Sequence, residues 1–467
     1  MSISKYTTRR AVFAGVAMAL PALFAACDVK QELLGVQQPQ VIAPENVGGA
    51  TGAAALRVGA LGSFQGWVMG GGGNSSNIAM FSDMLTDVWK SGDTFAQHNE
   101  ADQRIVQTNN SVLAGEYTGV QTARGRAQNA IDALQEFSPE LTSQIAEMYF
   151  VKAYAELILS EDFCNGVPYG NTVGTVVTYT DPITNKDGLT LAAARLDTAL
   201  TLATGTDAFS LNIHYTLEVA KARALVNLGQ FPAAAALVAD VPTSYAYLTT
   251  FSQTTRDNQE WVGNGSASVA RFVVGDSFDI IAGQKNIIKN AIPFASAGDP
   301  RVPVSGSTTG TTKSIDVSTS WVGQTIWGRD DAYPVLSGID ARLFQAEAQL
   351  NAADYTGMMA TLNALRTTSQ TIGVYKVPVM AALTTTPTTK DAAINLFFRE
   401  KAFWQFGRGY RLGDLRRLIR LYGRTQDQVF PAGAFHKNGT YGTDVNLPVT
   451  DGELTNPKFH GCIDRNA

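Results

Sequence analysis

The chain has 467 residues, of which 45% are apolar, 16% charged and 9% aromatic, with a formal net charge of −5. So large an apolar fraction supports a sizeable core and excludes disorder for most of the length. Charge this sparse and net acidic disfavours nucleic acid as a partner, and three cysteines with four scattered histidines leave little room for a metal site.

The N-terminus carries Lys5, Arg9 and Arg10, then an apolar run over residues 11–26 interrupted by Pro21. That run is short for a bilayer span and fits the apolar region of a cleaved leader. Leu23-Phe24-Ala25-Ala26-Cys27 resembles a bacterial lipobox, which makes 1–26 a lipoprotein signal peptide and Cys27 the acylated residue. An ordinary cleaved signal with an incidental cysteine is the competing reading, and Arg9-Arg10 leaves the choice of export route open. With Cys27 lipidated, Cys164 and Cys462 remain in an oxidising route, where the expectation is a disulfide and the alternative two free buried thiols. Residues 27–48 read as anchor and tether.

From 49 to 68 apolar residues recur at helical spacing, and 69–77 break it with a glycine run. The spacing predicts one long helix over about 100–136, with Val120, Ala123, Ala127, Ala130, Ile131 and Leu134 on its apolar face. An amphipathic helix follows over 142–162, capped by Thr142 or Ser143 and stopped at Phe163-Cys164-Asn165-Gly166. Two segments, 214–242 and 339–366, each read as a helix pair; in the first, Leu228-Gly229-Gln230 is similar to a tetratricopeptide turn. Between them, 243–335 turns to Ser, Thr, Gly and Trp and predicts elaborated loops with short strands. A last helical block spans 390–421, followed by an extended tail. The expected fold is mainly α: an irregular tetratricopeptide-like array with a helical part over 49–242, a loop-rich insert over 243–335 bearing the ligand site, and a helical part with tail over 336–467.

Four separated segments then carry a resemblance: AEMYFVKAYAELILSEDFCNGVP (146–168), YPVLSGIDARLFQAEAQLNAADYTGMMATLNALR (333–366), FFREKAFWQFGRGYRLGDLRRL (397–418) and NLPVTDGELTNPKF (446–459), together with Asp299-Pro300-Arg301. In order and spacing they resemble the SusD/RagB family of outer-membrane nutrient-binding lipoproteins. Ser337, Lys401 and Arg408 depart from the family's usual residues at presumed internal ion pairs. The resemblance implies four tetratricopeptide-like pairs in a cell-surface protein, lipid-anchored to the outer membrane, that covers a TonB-dependent, SusC-like barrel. Such a protein captures a glycan, or in some members a peptide, and passes it on without chemistry or cofactor.

The residues themselves add the following. Arg411, Asp414 and Arg417 share one helix at three-residue spacing and read as a structural ion-pair set. No GxSxG, HExxH, P-loop or CxxC pattern supplies a catalytic or metal alternative. Glycan capture asks for aromatic faces beside amides and carboxylates. Trp404 falls inside a helix and reads as core; Trp89, Trp261, Trp321 and Trp327 lie in loops, so the candidate ligand residues are these four with Asp83, and Asn77 as a weaker partner. The competing reading is that these groups pack loops onto helices. A tetratricopeptide-like surface scaffold for protein or peptide partners is the alternative function.

Overall fold

The structure, a computed structural model, describes residues 48–68, 77–173 and 176–467. The leader, Cys27, most of the tether and the glycine run at 69–76 lie outside the described residues. In chain order the helices are α1 (Gly49–Val68), α2 (Ile78–Met84), α3 (Ala96–Gln103), α4 (Ser111–Phe137), α5 (Thr142–Asp162), α6 (Asn185–Leu202), α7 (Ala208–Asn227), α8 (Phe231–Leu237), α9 (Gln259–Asn264), α10 (Gly338–Asn351), α11 (Tyr355–Arg366), α12 (Lys390–Trp404), α13 (Arg411–Arg420) and α14 (Gln426–Val429). None of them is long and apolar enough to cross a membrane.

Helices pack as four pairs, α1 on α4, α5 on α6, α7 on α8 and α10 on α11, and α4–α5, α6–α7 and α8–α10 contacts join one pair to the next. The pattern follows from the sequence. On α4, Leu113, Tyr117, Val120, Arg124, Ala127, Ile131 and Leu134 recur at three- and four-residue steps and are all buried. Asn110 caps that helix by accepting from the Leu113 N–H at 3.0 Å. Between α7 and α8, Gly229 takes φ +75°, which lets the Gln230 N–H return to the Leu225 carbonyl at 2.8 Å.

Two expectations need correction. The single helix over 100–136 is divided: Arg104 adopts a left-handed conformation (φ 63°), and its guanidinium donates to the carbonyls of Pro431 (2.8 Å) and Asp444 (2.9 Å) over the Phe430 ring. These contacts with the distant tail hold the chain out of the helix. Nor is α5 capped by Thr142 or Ser143: its N-cap position is Leu141, without a side-chain bond, while the Ser143 hydroxyl meets that of Ser210 at 2.7 Å.

The 243–335 stretch holds α9 and short strands, and every sheet among the described residues is two-stranded. Strand Ala246–Thr249 pairs antiparallel with Tyr333–Ser337, so the two ends of the insert are zipped together at the start of α10. There Ser337 and Asp340 form a reciprocal capping box. Strand Phe272–Val274 pairs with Trp89–Ser91 and fastens the middle of the insert to the segment after α2.

A charged network lies inside the helical body. Lys401 on α12 meets Asp414 on α13 (2.6 Å) and Glu347 on α10 (3.3 Å), and Arg417 meets the same two carboxylates at 2.6 and 3.1 Å. Beside it, Arg223 on α7 makes a two-pronged pair with Glu161 on α5, and Arg408 pairs with Asp340. All of these groups are buried. Arg411 does not pair with Asp414; it reaches Asp87 with two nitrogens, at 2.8 and 3.0 Å. Burial alone would raise the carboxyl of Asp414, yet Lys401 and Arg417 hold it below its ordinary value; Arg408 does the same for Asp340. Asp414 and Asp340 are therefore held charged and paired although buried.

Cys164 and Cys462 form a disulfide across 298 positions of sequence. Around it the tail adds to the Phe163–Asn165 segment: Cys164 N–H donates to Leu447 O and Ile463 N–H to Asn165 O, both at 2.8 Å.

Candidate functional site

The structure separates the sequence candidates into an inner and an outer group. Trp89 and Trp327 are 1% and 2% exposed, and Asn77 and Asp83 are 0% exposed. They cannot present a face to a ligand in this conformation. Asn77 is the N-cap of α2, its side chain accepting from the Met80 N–H at 3.0 Å. Trp89 and Trp327 lean on the same point: a Cβ added to Gly407 would lie 3.3–3.4 Å from both rings and 3.3 Å from Glu260 Oε1. Asp83 Oδ2 accepts from the Gly409 N–H at 3.0 Å. Here the spacing of Trp and Asp in loop-like sequence misleads, because these segments fold inward on the turn at Phe406–Gly409, which buries the side chains.

This inner group has unusual electrostatics. Burial pushes the Asp83 carboxyl up to about 7, against opposing pulls from the Gly409 N–H and Arg223. Burial, with Asp83 as an added repulsion, raises Glu260 well above the carboxylate range. Neither oxygen of Glu260 has a hydrogen-bond partner among the described residues. Nothing in the sequence marks Glu260.

Trp261 and Trp321 form the outer group. Trp261 is 36% exposed, and Trp321 is half-buried. They flank one turn: the Trp321 indole N–H donates to the Asn264 carbonyl at 3.1 Å, and the Gly265 N–H donates to the Trp261 carbonyl at 2.8 Å. Gly265 gives the Trp261 ring its room, since a Cβ there would lie 2.8 Å from Cδ1. The Arg329 guanidinium sits 5.4 Å from the centre of the Trp261 ring and is paired with Asp257 at 2.8 Å. An exposed indole beside an Arg–Asp pair can stack on an apolar ring face while offering donors and acceptors to hydroxyls.

A second concavity, of about 490 Å³, lies between α4, the hairpin Asn171–Val173 with Val176–Thr178, and the tail at 450–456. Its floor is a chain of hydrogen bonds. Arg124 Nε donates to Gln121 Oε1 (2.9 Å), Gln121 Nε2 to the Tyr117 hydroxyl (3.0 Å), and that hydroxyl to Glu453 Oε2 (3.0 Å). Asn456 Nδ2 donates to the other Glu453 oxygen at 3.1 Å. Tyr179, 40% exposed, stands at the rim. The sequence does hold a signal for this groove: Thr118, Gln121, Thr122, Gly125 and Asn129 make a small polar stripe at helical spacing along α4. Among the described residues no group of three or more His, Cys, Asp and Glu side chains is placed to hold a metal ion.

A helix-pair array carrying a loop-built face is the class of protein that this geometry defines. Comparison with solved structures gives it a particular form. The chain superposes on surface glycan-binding protein A from Bacteroides uniformis with TM-score 0.63 and 13% identity, over 88% of this chain and 98% of that one. A SusD-like carbohydrate-binding protein from Bacteroides fragilis gives TM-score 0.62 and 13% identity over 87% and 99%. A SusD superfamily protein from Parabacteroides distasonis gives 0.61 and 14% over 88% and 98%. No protein-family model and no curated protein matches the sequence. The fold is SusD-like.

Proposed function

We propose that the chain is a SusD/RagB-type lipoprotein that captures a glycan at the cell surface and hands it, chemically unchanged, to a SusC-like, TonB-dependent outer-membrane barrel. One observation carries the reading: the correspondence of fold runs nearly end to end with solved proteins described as carbohydrate-binding and surface glycan-binding. Residues 1–26 act as the signal peptide, Cys27 carries the lipid, and 27–48 tether the body. The helical parts over 49–242 and 336–467 form one scaffold for the 243–335 insert, which bears the ligand loops. Trp261 and Trp321 stack on the glycan. Trp89, Trp327, Asp83 and Asn77 act from behind, holding the loop face in position.

The test is tryptophan fluorescence of the purified mature chain titrated with neutral oligosaccharides of the malto, xylo, cello and manno series. At least one series quenches the wild type, and Trp261→Ala abolishes the quench while leaving the melting temperature within about 2 °C, as suits a partly exposed surface residue. A protein that answers to none of them, or a Trp261→Ala variant that binds equally well, refutes the tryptophan platform. Cys27→Ala moves the protein from the membrane to the soluble fraction; unchanged fractionation refutes the anchor.

A further inference from the structure

We propose a second saccharide seat, free of tryptophan, in the groove between α4, the 171–178 hairpin and the tail. The inference goes beyond the platform reading and does not depend on it, because the groove shares no residue with the insert.

The volume, about 490 Å³, is in the range of small-ligand sites and accommodates two or three sugar rings. The chemistry of the lining narrows the class. Gln121 and Asn456 spend their amides within the floor, so the amides facing the groove are those of Asn129 and Asn171, the latter with an Oδ1 that has no hydrogen-bond partner among the described residues. Hydroxyls come from a set of threonines on all three walls. Of the charges present, only Arg124 faces a counter-charge, the Glu156 carboxylate. Both Glu453 oxygens accept from the protein, from Tyr117 and Asn456. Arg124 is 5% exposed and donates to Gln121 and to the Gly170 carbonyl. Arg126 donates to Ser63. Glu453 and Arg126 keep their formal charges, each bonded here only to neutral groups, so the ligand class rests on the rest of the lining, where a neutral polyhydroxylated ligand meets amides and hydroxyls that donate and accept at once.

Shape agrees. Tyr179 supplies an exposed aromatic ring, and Gly125, Gly170 and Gly452 leave backbone uncovered along the walls. Val177 and Pro168 are the aliphatic lining, too little to receive the apolar side chains of a peptide. Asn129, half-buried, forms part of the groove lining. The walls are preorganised: the disulfide and the Asn165–Asp464 contact, at 2.8 Å, hold the tail against the segment that leads into Pro168.

The experiment is hydrogen–deuterium exchange of the full mature protein with maltotriose, xylotriose, cellotriose and mannotriose, each at millimolar concentration. At least one trisaccharide slows exchange in the 171–180 and 450–458 segments. The Asn129→Ala/Tyr179→Ala double variant, whose changes lie at the groove surface, weakens that protection at least about tenfold in Kd. Trp261→Ala leaves it intact, whatever becomes of the fluorescence quench, so failure of the platform and failure of the groove give different results. The proposal is overturned if no trisaccharide protects these segments, or if protection persists unchanged in the double variant while circular dichroism shows it folded.

Discussion

Replacing both disulfide cysteines, as Cys164→Ala/Cys462→Ala, tests how far the bridge stabilises the whole body. The bridge closes a loop of 298 residues. In the chain-entropy description, closing n residues in the unfolded state costs about 2.1 + 1.5R ln n cal/mol/K, which for this loop is about 19 cal/mol/K, or about 6 kcal/mol at 25 °C. Unfolding entropy near the midpoint is about 2.1 cal/mol/K per residue, hence about 1 kcal/mol/K for 467 residues. The expected fall in melting temperature is therefore about 6 °C. Because the Cys164 side chain is fully buried, the cavity left by alanine adds to the loss rather than masking it. Differential scanning calorimetry of exported wild type and double variant reads the shift, and intact mass after alkylation in denaturant without reductant verifies that the wild-type thiols are absent. A fall of less than about 2 °C, with the wild type shown to be bridged, refutes the argument that the tail closure constrains the unfolded chain.

Two other outcomes follow from the buried groups. Lys401→Met leaves Asp414 and Glu347 sharing Arg417 alone, and loss of one partner of a buried pair costs about 3–5 kcal/mol; urea unfolding measures it, and a loss under about 1 kcal/mol refutes an integral network. For pH, the Asp83 carboxyl is raised to about 7 in the folded chain against 3.8, so the folded state holds its proton longer and stability from this group is lost as pH rises through that window. Removing the charge by Asp83→Asn stabilises the protein at pH 8 relative to pH 4 by up to about 4 kcal/mol compared with wild type. His436 works in the opposite sense: burial lowers it to about 3, so its contribution is lost as pH falls from 6.5, and only the difference between variant and wild type isolates Asp83. A variant difference that does not change with pH removes the assignment.

The helices are legible where the apolar period survives packing against a neighbour, as on α4; α5, expected to be amphipathic, is instead buried on every side from Ile145 to Asp162 apart from Tyr149. The limits of α3 and α4 are not legible, since the interruption comes from Arg104 reaching residues more than 300 positions away. The candidate site was half legible. Tryptophan in a glycine- and serine-rich stretch signals a loop, which holds for Trp321 and Trp327, whereas Trp261 lies on the short helix α9 and Trp89 opens the strand Trp89–Ser91; of the four, Trp89 and Trp327 are enclosed. Whether an indole faces in or out depends on what folds over it: here Gly407 and Glu260, with Phe406 against Trp89 and Tyr333 against Trp327. Ion pairs were legible as charged residues on one helix, not as partners. Arg411 chose Asp87 over the nearer Asp414, a choice decided by tertiary approach. The groove is not legible as a site in the sequence because its walls come from three distant segments, and its amides and hydroxyls look like ordinary solvent-facing chemistry.

The interior charges also set how such a sequence can drift. At Lys401, Glu347, Asp414 or Arg417 a single replacement strands a charge in a dry site, so an accepted change needs a second one in a distant helix at nearly the same time. At exposed loop positions no such toll applies, and one replacement at a time is harmless. Drift therefore runs fast over the surface and slowly through the ionic centre. A lineage following that course accumulates almost complete divergence while its helices stay docked.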